Sequence, residues 1–392
     1  MTTCCHGHQH EDGFSGLGGT LAELIPEFRA RATETETGRT LPDDLAQRAK
    51  EGGLFDLLRP QSLGGLGLDA MTFLDTAVVL SHADSSVGFL FSIATVANAL
   101  FAWLDPTVAR HLIGDSIHFS ATCTPAPLGT AIPDGHGGLI VSGRWPFSTG
   151  CKHADWFEVG VFVMDGDGPR LGTDGAPQRR LAIVRPKDAR IIDTWQASGL
   201  RGTGSHDVTL EGLTVPEEHT IPLEPGGARV NGPLGSLSIT AMVALTGLGF
   251  PLGIARRALD EFTELAKTKK RGLIGTQTLL ARDEHVQAEL GRAEAELRAA
   301  TAYARQVARQ MWTGALEGRE ADENEMELAG NHAVRVATSV VDTVCALAGA
   351  SISRDAHPLE RCQRDVHTAR QHGIYGPRVY KRYARHLMDV TD

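Results

Sequence analysis

The segment Ser142–Trp156, with the sequence SGRWPFSTGCKHADW, combines residue types that could bind a planar heteroaromatic cofactor. Its aromatic side chains offer flat apolar surfaces, Ser148 and Thr149 offer hydroxyl groups, and Gly150 lets the backbone approach a ligand closely. Taken alone, the same pattern is also typical of a strand that ends in a turn. A cofactor site and an ordinary turn are therefore both open interpretations of this segment.

Two glycine-rich segments could also lie close to a ligand. Pro60–Asp69 (PQSLGGLGLD) does not follow a strand, so it is not a dinucleotide-binding fingerprint, and it predicts a loop. Gly199–Pro216 (GLRGTGSHDVTLEGLTVP) predicts a glycine-rich turn that leads into a strand. Neither segment alone distinguishes a binding site from a turn.

Composition excludes several classes of protein. The chain has 48 acidic and 38 basic side chains and a net charge of −10, which argues against nucleic acid as a partner because phosphate binding requires a basic surface. Its 42% hydrophobic content excludes global disorder. The six cysteines form no disulfide framework, which favours a reducing compartment and a cytoplasmic protein.

The N-terminus contains a group of potential metal ligands. The segment is polar, lacks apolar periodicity and has no signal-peptide core, so we expect a disordered tail over residues 1–14 and no functional metal site. The potential metal ligands in this tail are Cys4, Cys5, His6, His8 and His10.

Two long uncharged stretches, Ser85–Leu104 and Val230–Ala255, reach the length of about 20 residues that a membrane-spanning helix needs. Both contain Gly, Ser, Thr and Asn, and neither has a basic cluster on one side. We expect two buried core helices and no membrane partner.

The order of patterns predicts three domains. Helical spacing extends over residues 15–117, interrupted by the Pro60–Asp69 loop. Residues 118–223 contain short alternating runs separated by Asp/Gly/Pro turns, which is typical of an all-β domain. The helical period returns over 224–392, with a long helix around Val286–Met311 and further helices over 325–350 and 359–388. No βαβ alternation supports a Rossmann unit.

Taken together and in this order, the motifs resemble the acyl-CoA dehydrogenase superfamily. The resemblance extends from about Leu21 to Met388 and is carried by PQSLGGLG, GRWPFSTGCKHADW, GLRGTGSHD followed by VPEEH, and ALAGAS…RCQRDVHTARQH. It implies an α+β, mainly α fold with an N-terminal helical domain, a central β-barrel domain and a C-terminal four-helix bundle.

One branch of the superfamily is closer than the others. The segments APLGTA (Ala126–Ala131) and GRWPFSTGCKHADW resemble the two-component flavin-dependent monooxygenases. That branch includes proteins similar to 4-hydroxyphenylacetate hydroxylase, dibenzothiophene monooxygenase and the nitrososugar-forming oxidases.

The residues distinguish dehydrogenase from monooxygenase chemistry. An acyl-CoA dehydrogenase needs a carboxylate base, which the family takes from the first helix of the C-terminal bundle or from the segment after the terminal Arg-Asp pair. Here Pro225–Leu259 and Val366–Met388 contain no Asp or Glu. The second segment instead holds His372, with His367 five residues earlier, and histidine suits a phenol or an amine near neutral pH. We expect His372 to deprotonate and orient the substrate, with His367 as the next candidate and surface or packing roles as the alternatives.

The resemblance also assigns residues to a flavin. Ser148 matches the position whose hydroxyl faces flavin N5, with Trp145 and Phe147 beside the ring. Thr122 and Thr124 lie on the strand that contacts the pyrimidine end.

Three further positions match places where a neighbouring subunit meets the phosphate or ribityl arm: Arg271, Gly349 and Ser351. Asn98 matches a position from which some of these hydroxylases offer a polar group to the substrate. Its alternative role is to satisfy backbone groups inside an apolar helix.

The function implied is that of an oxygenase component. Reduced FAD, with FMN possible, would come from a separate reductase and react with O2 to give a C4a-hydroperoxide that hydroxylates an aromatic or heteroaromatic small molecule. We expect a homotetramer, because Leu234–Ala255 is too apolar to face water and the cofactor arm reaches into a second chain.

Three other functions stay open at this point. They are an acyl-CoA dehydrogenase with a displaced base, an N- or S-oxidising flavin monooxygenase of the same fold, and a non-enzymatic relative that has lost flavin.

Overall fold

The computed structural model describes residues 7–172, 174–223, 227–272, 277–353, 357–388 and 390, with the backbone alone described for residues 7–15. The first helix begins at Gly7, so the backbone of residues 7–14 is helical where the sequence predicts a disordered tail. The side chains of the potential metal ligands, for which no metal site is expected, lie outside the described part: Cys4, Cys5, His6, His8 and His10.

The N-terminal part consists of helices around a shared apolar core. They are α1 (Gly7–Ala30), α2 (Ala32–Gly38), α3 (Asp43–Glu51), α4 (Ala70–Ala83), α5 (Ser85–Leu100) and α6 (Pro106–Ile113). The predicted loop lies between α3 and α4 and contains one 3-10 turn at Gln61–Leu63. Asp69 and Asp84 accept hydrogen bonds from the first backbone N–H groups of α4 and α5, so each aspartate fixes where its helix begins.

The central part is one sheet. Its strands are β1 (Ala121–Pro133), β2 (Gly138–Ser148), β3 (Trp156–Asp165), β4 (Gly168–Pro169), β5 (Arg179–Val184), β6 (Arg190–Ile192), β7 (His206–Pro216) and β8 (Thr220–Pro222). The order is β6-β7-β2-β1-β3-β5-β8, with β4 paired to β3. β1 and β3 are parallel, whereas β2 and β7 are antiparallel. Within the described residues β6 and β8 do not pair with each other, so the expected barrel is an open sheet.

The two faces of the sheet have different partners. Trp145, Phe157 and Val208 belong to a separate apolar core within the β domain. Trp156, Leu181 and Ile183 belong instead to the large core shared with the helices. The alternation of side chains along each strand therefore attaches one face of the sheet to the helical domains.

The C-terminal part is a helical bundle. It contains α7 (Ile239–Thr268), the short hairpin β9 (Lys270–Arg271) and β10 (Thr278–Leu279), α8 (Glu284–Leu316), α9 (Glu323–Ala348), α10 (Pro358–Ala369) and α11 (Pro377–Leu387). The prediction of one helix over 359–388 is wrong, because the chain leaves the helix after Ala369 and resumes at Pro377. Gly373, Gly376 and Pro377 in this interval disfavour continuous helix.

Helix α7 lies at the centre of the molecule. A Cβ atom on Gly249 or Gly253 would lie 2.8 Å or 2.3 Å from carbonyl oxygens of α4, so these glycines permit the close approach of the two helices. Three helical segments are long and apolar enough to cross a membrane, namely Ser85–Trp103, Ile239–Thr268 and Glu323–Ser353. Their most apolar windows are 94%, 78% and 50% buried inside the protein. The expected fold class, helical domains on both sides of a central β domain, is confirmed.

Candidate active site

The break between α10 and α11 carries His372. The backbone N–H of His372 donates to the carbonyl oxygen of Ala369 at 3.0 Å, so the chain makes a last turn after α10. Gly376 then adopts a φ of 152°, a conformation that favours glycine, before α11 begins. The break therefore places a histidine on a short loop between two helices.

The imidazole of His372 is packed among aromatic rings. Its ring centroid lies 5.4 Å from that of Phe89 on α5 and 6.4 Å from that of Tyr375, both in edge-to-face arrangements. Burial lowers the pKa of His372 to about 4, because the surrounding groups do not solvate an imidazolium. The ring is therefore uncharged at neutral pH.

The uncharged ring has a defined tautomer. The backbone N–H of Ile374 donates to Nδ1 of His372 at 3.3 Å. Since a neutral imidazole has one donor and one acceptor nitrogen, the proton resides on Nε2. This tautomer has an N–H donor at Nε2, whereas the sequence predicts a base that accepts a proton.

The loop after His372 is fixed to two helices. The hydroxyl of Tyr375 donates to the carbonyl oxygen of Gly247 on α7 at 2.8 Å, and the backbone N–H of Gly376 donates to Oδ1 of Asn331 on α9 at 2.7 Å. A Cβ atom on Gly247 would lie 2.8 Å from Cδ1 of Ile374, so the loop and α7 are in direct contact.

A cavity of about 830 Å³ opens beside this loop. The sheet contributes Pro125 and Arg179 to its wall, α7 contributes Val243, and the loop contributes Ile374 and Tyr375. The volume lies within the range of pockets that bind drug-sized molecules. Carboxylates occur at the α9 side, where Glu327 is ion-paired with Arg382.

Ser148 lies at the end of β2, where the strand is distorted. The register of β2 against β7 shifts between Trp145 and Ser148, and Phe147 within this bulge has a φ of 63°. The Phe147 side chain is 67% exposed, which leaves a large aromatic ring uncovered. The Oγ atom of Ser148 is buried and lies 3.2 Å from Oγ1 of Thr124 on β1.

The glycine-rich segment before β7 links Ser148 to α10. The backbone N–H of Gly150 donates to the carbonyl oxygen of Thr203 at 2.8 Å, behind Ser148. The backbone N–H of Leu200 donates to Oδ1 of Asp365 on α10 at 2.6 Å. This segment therefore sets the spacing between the end of β2 and the helix that precedes His372.

Helix α5 contacts both the loop and the turn after β2. Phe89 contacts His372, and the next residue, Leu90, faces Gly150, on which a Cβ atom would lie 3.4 Å from the Leu90 side chain. Consecutive residues of one buried helix thus pack against the loop that carries His372 and against the turn that follows Ser148. Ile93 is not fully buried, in contrast to the rest of α5, so it faces an opening.

Comparison with known proteins agrees with this geometry. The family descriptions "Acyl-CoA dehydrogenase, N-terminal domain" and "Acyl-CoA dehydrogenase, C-terminal domain" match residues 21–113 and 247–377. An indole-3-acetate monooxygenase of Pseudomonas putida is 32% identical over 90% of this chain and 88% of its own length. The chain belongs to the acyl-CoA dehydrogenase superfamily.

Within the acyl-CoA dehydrogenase superfamily, the relatives are flavin-dependent monooxygenases. The oxygenase subunit HsaA of a flavin-dependent monooxygenase from Rhodococcus jostii is 29% identical over 93% of this chain and 96% of its own length. The solved structure of XiaF from Streptomyces, in complex with FADH2 and glycerol, has a TM-score of 0.89 and 25% identity, covering 99% of this chain and 98% of that one. This chain is a flavin-dependent monooxygenase of the acyl-CoA dehydrogenase fold.

Three residues assigned from the superfamily pattern have other roles in the structure. Asn98 is fully buried; its amide donates to Asp56 and to the Phe119 carbonyl oxygen and accepts from the Ala121 N–H, so it has the structural role that the sequence left open.

The other two of these residues also lie away from the loop site. His367 is partly exposed and contacts Asp342 at 2.9 Å. Trp145 has no exposed surface; its indole N–H donates to the carbonyl oxygen of Gly160 inside the β core, so it does not face a flavin.

The residues at the end of β2 fit a flavin. Phe147 provides an uncovered ring, and the Thr124–Ser148 pair provides hydroxyl groups beside it. On the same strand as Thr124, the hydroxyl of Thr122 is buried and has no hydrogen-bond partner in the described part of the chain. An orphaned hydroxyl of this kind is rare in folded proteins and indicates a missing partner.

The three residues assigned to a second subunit lie together. Arg271 donates to the carbonyl oxygen of Leu347 at 2.6 Å, next to Gly349, and Ser351 accepts from Lys269 at 2.6 Å. Arg271 and Lys269 thus form a basic cluster at the end of α9.

Sequence reasoning missed several residues of the site. Phe89 and Tyr375, which enclose the His372 ring, are ordinary aromatic residues in the sequence. Asn331 lies inside an apolar helix, and its bond to the loop depends on a contact between distant segments. Only the break at Gly373–Pro377 had a local signal, because glycine and proline there predict the end of a helix.

Proposed function

We propose that this protein is the oxygenase component of a two-component system that hydroxylates an aromatic or heteroaromatic small molecule. It takes reduced FAD, with FMN as the alternative, from a separate reductase, and it uses O2. The observation that carries the proposal is the uncharged imidazole of His372 against Phe89 and Tyr375, on a loop whose next residues line a cavity of about 830 Å³. The oxygenase-subunit relative described above supports the separate reductase.

A flavin would be held between the sheet and the bundle. Phe147 would cover one side of the ring, and the hydroxyl groups of Thr122, Thr124 and Ser148 would bind polar atoms at its edge. When bound, the reduced flavin supplies the electrons that activate O2 for transfer of one oxygen atom to the substrate.

His372 would orient the substrate by donating a hydrogen bond from Nε2. This role suits a phenolate, a carbonyl or a ring nitrogen, since each offers a lone pair. An imidazole with a pKa of about 4 is a weak base, so it would not hold a proton taken from a phenol. Phe89 and Tyr375 contact the ring, Phe250 packs against both of them, and these aromatic side chains would keep water away from the reacting atoms.

A dehydrogenase mechanism lacks support from the residues around the loop. The position after His372 is Gly373, and the neighbouring segment of α7 is uncharged from Ile239 to Ala255. Neither place offers the carboxylate that removes an α-proton from a thioester.

We infer that the protein works as a homotetramer in the cytoplasm. A second copy would bring Lys269, Arg271 and Ser351 to the flavin phosphate or ribityl arm, because Arg271 is exposed and lies with Lys269 and Ser351 at the end of α9. The four cysteines with described side chains are unpaired, which agrees with a reducing compartment.

A reconstitution experiment tests the proposal. The purified protein is supplied with NADH, FAD and an aromatic panel that includes indole and indole-3-acetate, with and without a flavin reductase. We expect oxygenated product only when reductase is present. Product formation with NADH in the absence of reductase would contradict the two-component assignment.

A further inference from the structure

Three arginine side chains line the large cavity, and two of them lack an ionic partner. The three are Arg179 on β5, Arg378 at the start of α11, and Arg382 one helical turn further along α11. Arg382 is ion-paired with Glu327. In the described part of the chain no carboxylate forms an ion pair with Arg179 or Arg378, and both residues are exposed. The cavity therefore has two guanidinium groups whose charge the protein does not neutralise.

Arg378 belongs to the same stretch of chain as His372. All the residues from Gly373 to Arg378 line the cavity. A Cβ atom on Gly373 would have no other heavy atom within 4 Å, so the space beside the residue that follows His372 is open. Two turns, closed by hydrogen bonds from Tyr375 to His372 and from Val379 to Gly376, make the stretch compact. A molecule in the cavity would therefore meet both the loop and Arg378.

Contacts between α11 and α9 define the position of Arg378 further. Gly376, just before α11, donates to Asn331, whereas Arg382 donates to Asn324 at 2.9 Å. The two helices therefore run in opposite directions. Arg378, two residues after Gly376, lies towards the Asn331 end of the contact, and Asn324 is roughly 10 Å away from that end at 1.5 Å per residue of α9.

The carboxylates that line the cavity lie towards the other end of this contact. Glu320 is exposed and precedes α9, and Glu323 is the first residue of α9. Glu323 also accepts a hydrogen bond from the serine hydroxyl that precedes α7, and Glu327 is paired with Arg382. At the loop end of the cavity the positive charge at the start of α11 is therefore not offset by a described carboxylate.

We propose that the cavity takes an aromatic substrate that carries a carboxylate, and that Arg378 and Arg179 bind this anionic group. The inference deepens the proposed function and rests on it. A guanidinium presents N–H donors in a planar arrangement that matches a carboxylate. Among the described residues, the side chain of Arg179 makes only a long hydrogen bond of 3.5 Å to the carbonyl oxygen of Leu223, so its donors can turn to a ligand. The aromatic ring of the substrate would lie at the loop, and its carboxylate would lie at the two arginines.

Matched pairs of ligands test the charge without changing the shape. Indole-3-acetate and indole-3-acetamide form one pair, and 2-naphthoate and 2-naphthamide form another. Calorimetric titration of the purified full-length protein gives Kd for each ligand. We expect the acid of at least one pair to bind roughly 10-fold more tightly than its amide, and we expect this preference to shrink as NaCl is added. No preference for an acid over its amide in the parent protein would overturn the proposal.

Neutral substitutions assign the preference to the two arginines. Arg378→Gln and Arg179→Gln should each reduce the ratio of acid affinity to amide affinity by roughly 3- to 20-fold, because each removes a charged donor. Lys381→Gln is the matched control, because Lys381 is exposed on α11 but does not line the cavity. A parental ratio in either arginine variant, or an equal reduction in Lys381→Gln, would overturn the proposal.

Charge reversal separates recognition from damage to the fold. A glutamate in Arg378→Glu should favour a cation, so tryptamine should bind roughly 3- to 20-fold more tightly to this variant than to the parent, and indole-3-acetate should bind more weakly. A damaged fold would not gain affinity for a new ligand. No gain for tryptamine would overturn the proposal. Failure of the parent, supplied with a reductase, to oxygenate any compound of the aromatic panel would instead count against the proposed function, so the two failures are distinguishable.

Discussion

The hydroxyl group of Tyr375 donates a hydrogen bond to the carbonyl oxygen of Gly247 at 2.8 Å, and this contact fixes the loop that carries His372 against the central helix α7. The phenol ring also lies in edge-to-face contact with the imidazole. The environment of His372 is therefore determined by a contact between segments that are far apart in the sequence.

Loss of that contact should change the protonation of His372. In Tyr375→Phe the loop loses its bond to α7, water reaches the imidazole, and its pKa should rise from about 4 towards 6.5. Nitrogen NMR of the flavin-free protein measures this pKa and reports the tautomer, with His372→Gln as the assignment control. An unchanged pKa in Tyr375→Phe would mean that the bond does not position the ring.

Two replacements of His372 distinguish a donor from a base. Glutamine keeps an N–H donor but cannot take a proton, whereas leucine keeps only the bulk of the side chain. If Nε2–H orients the substrate, Gln should retain product formation within about 10-fold and Leu should lose roughly 10- to 100-fold. An equal loss of product formation in the two variants would indicate that His372 acts as a base. His367→Gln serves as the control, because His367 is bound to Asp342 at 2.9 Å.

Ser148→Ala should separate oxygen consumption from hydroxylation. Removing the hydroxyl beside Thr124 leaves a polar atom of the flavin without its partner, and a bond of this kind contributes about 1–3 kcal/mol. We expect the ratio of hydrogen peroxide to product to rise by about 10-fold or more while flavin binding persists. Ser142→Ala, on the same strand, is the matched control. An unaltered ratio in Ser148→Ala would remove Ser148 from the site.

The sequence predicts the architecture better than the site. The short alternating runs of residues 118–223 and the long helix around Val286–Met311 were recognisable because each repeats a local period. Ser148 was recognisable because its motif is local. The sequence left two roles open for Asn98 and placed Trp145 beside the flavin, because whether a polar or aromatic side chain faces a ligand or the core depends on packing between distant segments. The tautomer of His372 depends on one backbone N–H and has no sequence signal.

A pair of buried carboxyl groups should make stability depend on pH. Burial, with a contribution from Asp84, raises the pKa of Asp365 to about 7 from an ordinary value near 3.8. A raised pKa means that the folded state holds the proton more tightly, so this contribution is complete below about pH 4 and is lost as the pH rises through 7. Asp365→Asn should therefore be more stable than the parent at pH 8, and this advantage in stability should be smaller at pH 5. Melting curves at both pH values check this, and a difference that does not vary with pH would contradict it.

Assembly can be tested by subunit complementation. The proposed sites combine Ser148 of one chain with Arg271 of another, so light scattering should give about four times the chain mass of 41.9 kDa. Ser148→Ala and Arg271→Glu should each impair product formation, and coexpression of the two variants should restore sites that have both parental residues. A monomeric mass, or no recovery on coexpression, would contradict the shared site.

Isotope labelling tests the monooxygenase assignment most directly. The protein, a flavin reductase, NADH and FAD are supplied with ¹⁸O2 and the aromatic panel, and the product mass is compared with that from a reaction in H2¹⁸O. We predict one ¹⁸O atom in each product molecule from ¹⁸O2 and none from water. A product with oxygen from water, or an unsaturated product without new oxygen, would contradict the account.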